Sequence, residues 1–237
     1  MAISDLPNYA ARRQRPGWAL ALALAALLTV AAIAVAFIAY ALWPRWPGPP
    51  IGPGAPALPI TIAGTAFNVP PAAMRIPLQR RAGAHERVDL AFLWPSLEPP
   101  PVAVRTPGGI TPQAIDRLFV TIASAGDTLP PAERIKTIYP RYVAADAVAE
   151  PNGLVVQAFR SGTPYQGEDL IQDAAAGFLV RCSRDSAGPT PGICLHSRRI
   201  DHADIVVRFP RDWLSDWRAI DAGIERLIES LRPRGSY

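Results

Sequence analysis

Histidine, cysteine and clustered arginine are the side chains of this 237-residue chain that could do chemistry, and the first two are scarce. Only three histidines occur, His85, His196 and His202, so an acid–base or metal site must draw on one of them or on a carboxylate pair. The local cluster is His196, Asp201, His202 and Asp204, with Ser197 beside it. Two imidazoles and a carboxylate form a ligand set for a divalent metal, and a serine beside an imidazole is a nucleophile with a base. In a strand His202 and Asp204 would share a face, but His196 lies across an expected turn. Asp201-His202-Ala203-Asp204 is equally good turn chemistry. A solvated turn is the expectation, and no residue is assigned a catalytic or metal-ligating role. The chain has no H-E-x-x-H, G-x-S-x-G, P-loop or G-x-G-x-x-G pattern, and no cofactor is implied.

Arg80, Arg81 and Arg87, with His85 among them, form a block whose guanidinium forks could hold a carboxylate or phosphate. The competing reading is a solvated loop leading into a strand at Val88. Cys182 and Cys194 are the two cysteines, and they fall on neighbouring expected strands joined by a Gly- and Pro-containing loop. A hairpin would set them opposite each other, and in an oxidising compartment they would form a structural disulfide. Redox activity is disfavoured because the C-x-x-C spacing is missing, and zinc because there is no second cysteine pair.

Oxidation requires export, and the N-terminal region supplies a route. Residues 18–42 are 25 consecutive uncharged residues rich in Ala and Leu. At about 1.5 Å per residue they could cross a hydrocarbon core of roughly 30 Å with some tilt. Trp18 at one end, and Tyr40, Trp43 and Trp46 at the other, are the amphipathic rings expected at membrane interfaces. Arg12, Arg13 and Arg15 precede the span and only Arg45 follows closely, so the positive-inside bias puts the tail in the cytoplasm and the rest outside. Ala39-Tyr40-Ala41 has the small-x-small form of a cleavage site, so cleavage after Ala41 is the rival to a retained anchor, although the apolar run exceeds a signal peptide's. Seven of the 16 residues at 44–59 are proline, which describes an extended spacer.

The expected organisation is a cytoplasmic tail at 1–16, a transmembrane helix at 17–43, the linker at 44–59 and one exported globular domain at 60–237. Short β-branched or alternating segments at 60–69, 88–94, 118–123, 154–159, 178–182, 193–196 and 205–209 predict strands. Helical patterning is confined to 131–138 and to 212–231. In the latter Trp213, Trp217, Ile220, Ile224, Leu227 and Leu231 recur at spacings of three and four, with Asp212 as the expected N-cap and Pro233 as the stop. The mixed-sign polar face of that helix suits packing on a sheet better than a second membrane contact. The fold class is α+β: an N-terminal transmembrane helix, then a mainly antiparallel sheet with a C-terminal amphipathic helix packed on it.

Without the tail's charged residues, 21 basic side chains face 19 acidic ones, which is not the footprint of a nucleic-acid binder. Several stretches stand out together: Asn68-Val69-Pro70, Arg80 to Gly83, Glu86-Arg87-Val88-Asp89-Leu90, Trp94-Pro95, Glu133-Arg134-Ile135, Ile138-Tyr139, the two cysteines and the Trp217 helix. With the apolar N-terminal span, this pattern resembles uncharacterised single-span envelope proteins of GC-rich bacteria. The resemblance implies an anchor in the inner membrane, a periplasmic domain and a cysteine pairing, and brings no activity. The leading expectation is a tethered domain that binds a protein or cell-envelope partner. The alternative is a membrane-tethered hydrolase or metal-dependent enzyme using His196, His202 and Asp204.

Overall fold

The computed structural model describes residues 17–42, 52, 54–101, 115–184 and 191–233. The tail at 1–16, the interfacial Trp43 and Trp46, most of the proline-rich segment and the loop at 185–190 lie outside the described residues. Two compact units make up the chain, Met1–Pro47 and Gly48–Tyr237.

In the first unit, α1 runs over Gly17–Leu42, 26 residues without an acidic or basic side chain in its end turns. Its length, about 39 Å at the α-helical rise, and its apolar composition over Leu20–Ala41 are sufficient to cross a membrane. The Thr29 hydroxyl donates to the Ala25 carbonyl at 2.8 Å, so this polar group is satisfied within the helix itself.

The second unit begins with a small sheet. Strands β1 (Leu58–Ile62) and β2 (Thr65–Val69) form a hairpin, and β3 (Gly83–His85) pairs with β1 in parallel. The expectation of one continuous strand at 60–69 is corrected here: Ala63 and Gly64 both take positive φ, 48° and 83°, which closes a two-residue turn whose twist matches that of the strands. The remaining strands are β4 (Arg87–Leu93), β5 (Arg117–Ser124), β6 (Val143–Ala149), β7 (Val155–Phe159), β8 (Glu168–Asp173), β9 (Phe178–Ser183), β10 (Ile193–Ile200) and β11 (Ala203–Pro210). They form one eight-stranded antiparallel sheet in the order β4-β5-β11-β10-β9-β8-β7-β6. A short helix α2 (Pro131–Thr137) and the C-terminal helix α3 (Trp217–Leu231) complete the unit.

Alternation assigns the two faces of the large sheet. Val88, Leu90 and Phe92 of β4, Val120 and Ile122 of β5, and Ile205, Val207 and Phe209 of β11 point to one side. There they join Ile60, Ile62, Phe67 and Val69 of the small sheet and Trp217, Ile220, Ile224, Leu227 and Leu231 of α3 in one buried cluster. Each large side chain buried this way contributes roughly 1.5–3 kcal/mol. Gly223 is the close-approach point of α3: a Cβ there would lie 2.5 Å from Cζ3 of Trp94, which in turn stacks on Trp213 at 5.7 Å. On the other side, Tyr139, Phe159 and Leu170 are buried together, with Ile135, Ile138, Tyr142, Tyr165 and Leu179 packed against them, so α2 covers the opposite face over β7 to β9.

The C-terminal segment corrects one expected boundary. Residues Arg211–Asp216 form a 3-10 helix, α3 starts at Trp217, and the N-cap position belongs to Asp216 rather than Asp212. Tightened first turns of this kind are common where a strand feeds directly into a helix. At the other end Arg232 is extended, as the ring of Pro233 requires of its predecessor, and α3 stops at Leu231.

Candidate functional site

The site is built from the hairpin that carries the cysteines. Cys182 of β9 and Cys194 of β10 are directly opposed in the ladder, with Cα atoms 3.9 Å apart, and they are disulfide-bonded. One further pair, Leu195 with Arg181, follows, and there the ladder between β9 and β10 ends. The other edges of both strands stay paired, β10 with β11 through Ile200 and β9 with β8 through Phe178. The sheet is therefore split along the rest of β9 and β10.

Hydrogen-bond alternation tells which groups face the split. The Arg211 amide donates to the Gly192 carbonyl at 2.7 Å, so the even-numbered residues of β10 bond to β11 and the odd-numbered ones point toward β9. Ser183 shows the same sense, because its hydroxyl accepts from the Ile193 amide at 2.9 Å. Likewise the Arg184 amide bonds to the Gly167 carbonyl at 2.9 Å, which turns the odd-numbered residues of β9 toward β10. Ser197 thus presents its backbone N–H and C=O groups toward Leu179 across the gap, and Arg199 toward Gly177 just before β9, with no ladder between them.

A cavity of about 710 Å³ occupies this place. On the α2 side it is lined by Pro131, Arg134, Ile135, Tyr139, Leu179 and Arg181, and on the α3 side by His196, Arg198, Asp221 and Glu225. His196 is 8% exposed, and its Nδ1 is buried without a hydrogen-bond partner among the described residues. Its ring stacks on Phe178 at 6.1 Å, and Phe178 packs on Trp217 at 5.0 Å. Burial, helped by the charge of Arg198, pushes the imidazole pKa down to about 4, so His196 is neutral at pH 7. Arg198 is ion-paired with Glu225. Burial raises the pKa of Asp221 against the opposing pull of Arg198.

Most of the cleft arginines are held by carboxylates. Arg199 grips Asp204 through Nε at 2.7 Å and Nη2 at 2.9 Å, and that hydrogen bond raises its own pKa. Arg181 lies over the ring of Tyr165 at 4.9 Å and puts Nε 2.6 Å from Oε2 of Glu168. That contact is an ion pair out of hydrogen-bond alignment, since neither atom has a hydrogen-bond partner. Arg134 differs: among the described residues its buried Nε has no acceptor and its guanidinium no ion pair.

The residues singled out from sequence are not gathered at one point. His196 stands opposite Val207 and faces α3, whereas Asp204 stands opposite Arg199 and faces the other way. From His196 to the end of β10 is about 13 Å at the strand rise, and His202 lies beyond it. Asp201 and His202 form the turn, Asp201 with φ 49°, and the His202 amide donates to Thr65 Oγ1 at 3.3 Å. Ser197 points to the face opposite His196, so the two cannot act as nucleophile and base. Among the described residues no group of three or more His, Cys, Asp or Glu is placed to hold a metal ion. The separation removes the geometry on which the hydrolase or metal-enzyme alternative depends.

The arginine block is likewise occupied. Arg80 donates from Nε and Nη2 to the Met74 carbonyl at 3.2 and 3.0 Å, and Arg87 forks onto Asp89 at 2.9 and 2.7 Å. Burial pushes the Asp89 carboxyl up, but hydrogen bonds from Arg87 and Thr121 outweigh it and leave the pKa below the usual value. Arg81 is exposed. Three cleft residues, Arg134, Arg181 and Arg199, are not singled out as site residues by the sequence, because only the strand register and the packing of α2 on the sheet bring them together.

No family model matches the chain, and no curated protein matches it. Among solved structures it is similar to an immunity protein of the Stenotrophomonas maltophilia type IV secretion system, at 16% identity and a TM-score of 0.49, over 79% of this chain and 98% of that one. A likeness at that level says nothing of what this chain binds.

Proposed function

We propose that the chain is a single-span protein of the bacterial inner membrane, with its N-terminus cytoplasmic and the unit from Gly48 onward periplasmic, and that this unit binds a protein or cell-envelope partner. The retained helix, the arginines that precede it and the disulfide all suit that placement. The observation that carries the binding reading is the split between β9 and β10. It is an open cleft lined by apolar side chains and held arginines, with α2 packed on one face of the sheet beside it and α3 on the other. Arginine and aromatic groups held in place before contact are what protein interfaces use as anchors, since little ordering entropy remains to be lost.

The test is site-specific photocrosslinking in intact cells. A photoreactive residue is placed in the full chain at Ala132, on the cleft rim, at Ala66, on the small sheet, or at Val148, on β6. A discrete protein or cell-wall adduct from at least one position is expected. Irradiation that leaves all three variants unmodified would sink the reading.

A further inference from the structure

We propose that the split between β9 and β10 receives an extended segment of a partner protein, which pairs with the backbone of β10 at Ser197 and Arg199 and delivers an acidic side chain to Arg134. The inference rests on the partner-binding reading above and adds to it the conformation and charge of what is bound.

Three observations converge on the cleft. First, β10 is a full strand on its β11 side through Ile200 but is paired on its β9 side only at Cys194 and Leu195. The outward N–H and C=O groups of Ser197 and Arg199 therefore form a vacant ladder position next to an open volume of about 710 Å³. An added strand satisfies such groups with main-chain bonds and sends alternate side chains into flanking pockets. Second, the cleft contains polar atoms that no described residue satisfies: Nε of Arg134, and Nδ1 of His196, a residue more than nine-tenths buried. Third, the charge is asymmetric. Arg181, Arg198 and Arg199 are each neutralised by Glu168, Glu225 and Asp204, whereas Arg134 has no carboxylate among the described residues. A carboxylate is the group a planar guanidinium in that setting recognises best.

The probes are two phage-displayed heptapeptide libraries, one with a fixed central glutamate and one with a fixed central lysine, selected on the full chain in nanodiscs. The glutamate library is expected to enrich binders and the lysine library is not. Arg134→Gln should weaken the selected peptides by about tenfold or more, with Arg134→Lys recovering part of the loss.

Amide hydrogen exchange supplies a readout that charge alone would not move. In the free chain, Ser197 and Arg199 should exchange faster than their neighbours His196 and Arg198, which bond to β11, and bound peptide should slow that pair. Equal enrichment of both libraries, binding indifferent to Arg134→Gln, or unchanged exchange at Ser197 and Arg199 would each overturn the proposal. Crosslinks from Ala66 or Val148 but none from Ala132 would overturn it too, while leaving the partner-binding reading intact.

Discussion

His196 couples the stability of the fold to pH through its buried imidazole. Its folded pKa of about 4 lies below the ordinary imidazole value of 6.5, so the neutral form is favoured by the fold and the unfolded chain binds the proton more readily. Stability from this group is present above about pH 6.5 and is lost as pH falls toward 4. At pH 5 the loss amounts to about 2 kcal/mol relative to pH 7, the free-energy equivalent of the shift at that pH. Asp89, with its lowered pKa, loses stability in the same direction, and Asp221, with its raised pKa, opposes it. Urea denaturation at pH 7 and pH 5 of the wild type and of His196→Phe isolates the histidine: the variant should show the smaller drop, and identical drops would contradict the assignment. Gly223 is a second residue-scale case. Gly223→Ala in a mid-helix position ordinarily gains about 1 kcal/mol, but here the new methyl would meet Trp94 at 2.5 Å, and a net loss of about 1–3 kcal/mol is expected. Adding Trp94→Phe should return part of it, and a stabilised single variant would show that Trp94 is free to move.

At the scale of elements, strands with strong alternation were legible and weak ones were not. Val88, Leu90 and Phe92 declare β4, and the three-four spacing from Trp217 declares α3, because burial on one face selects those residues. By contrast β6, Val-Ala-Ala-Asp-Ala-Val-Ala, is an edge strand with an exposed, irregularly paired run, and β8 has only Leu170 and Ile171 between acidic and amide residues. Neither has a pattern of its own, and both owe their strand conformation to the neighbour they pair with. The histidine cluster failed for a related reason: closeness in sequence places His196 and Asp204 on opposite faces once the β10–β11 register is known. The cysteine hairpin was legible because its constraint is local. Reduction of this 12-residue loop should lower stability by about 3 kcal/mol on the loop-entropy model, seen as a lower denaturation midpoint in reducing buffer. An unchanged midpoint would mean that the unfolded chain is already compact there.

For the whole molecule, an apolar helix long enough to span a membrane precedes, along one chain, the unit that carries the cleft. The orientation is tested by adding protease to spheroplasts: the unit from Gly48 onward should be attacked in intact spheroplasts, and its survival until detergent is added would reverse the topology. The proposed binding surface is a seam inside a continuous sheet, and a seam can propagate. A strand entering between β9 and β10 acts as a wedge, and each ladder pair it displaced would lengthen the opening toward the loop and divide the domain in two. The Cys182–Cys194 bond lies one pair beyond the tip of the opening, where it works as a rivet at the end of a crack. For a strand bound as proposed, the covalent link would let the gap be forced without letting it run, so the same bond that closes the hairpin would limit how far the sheet can be parted.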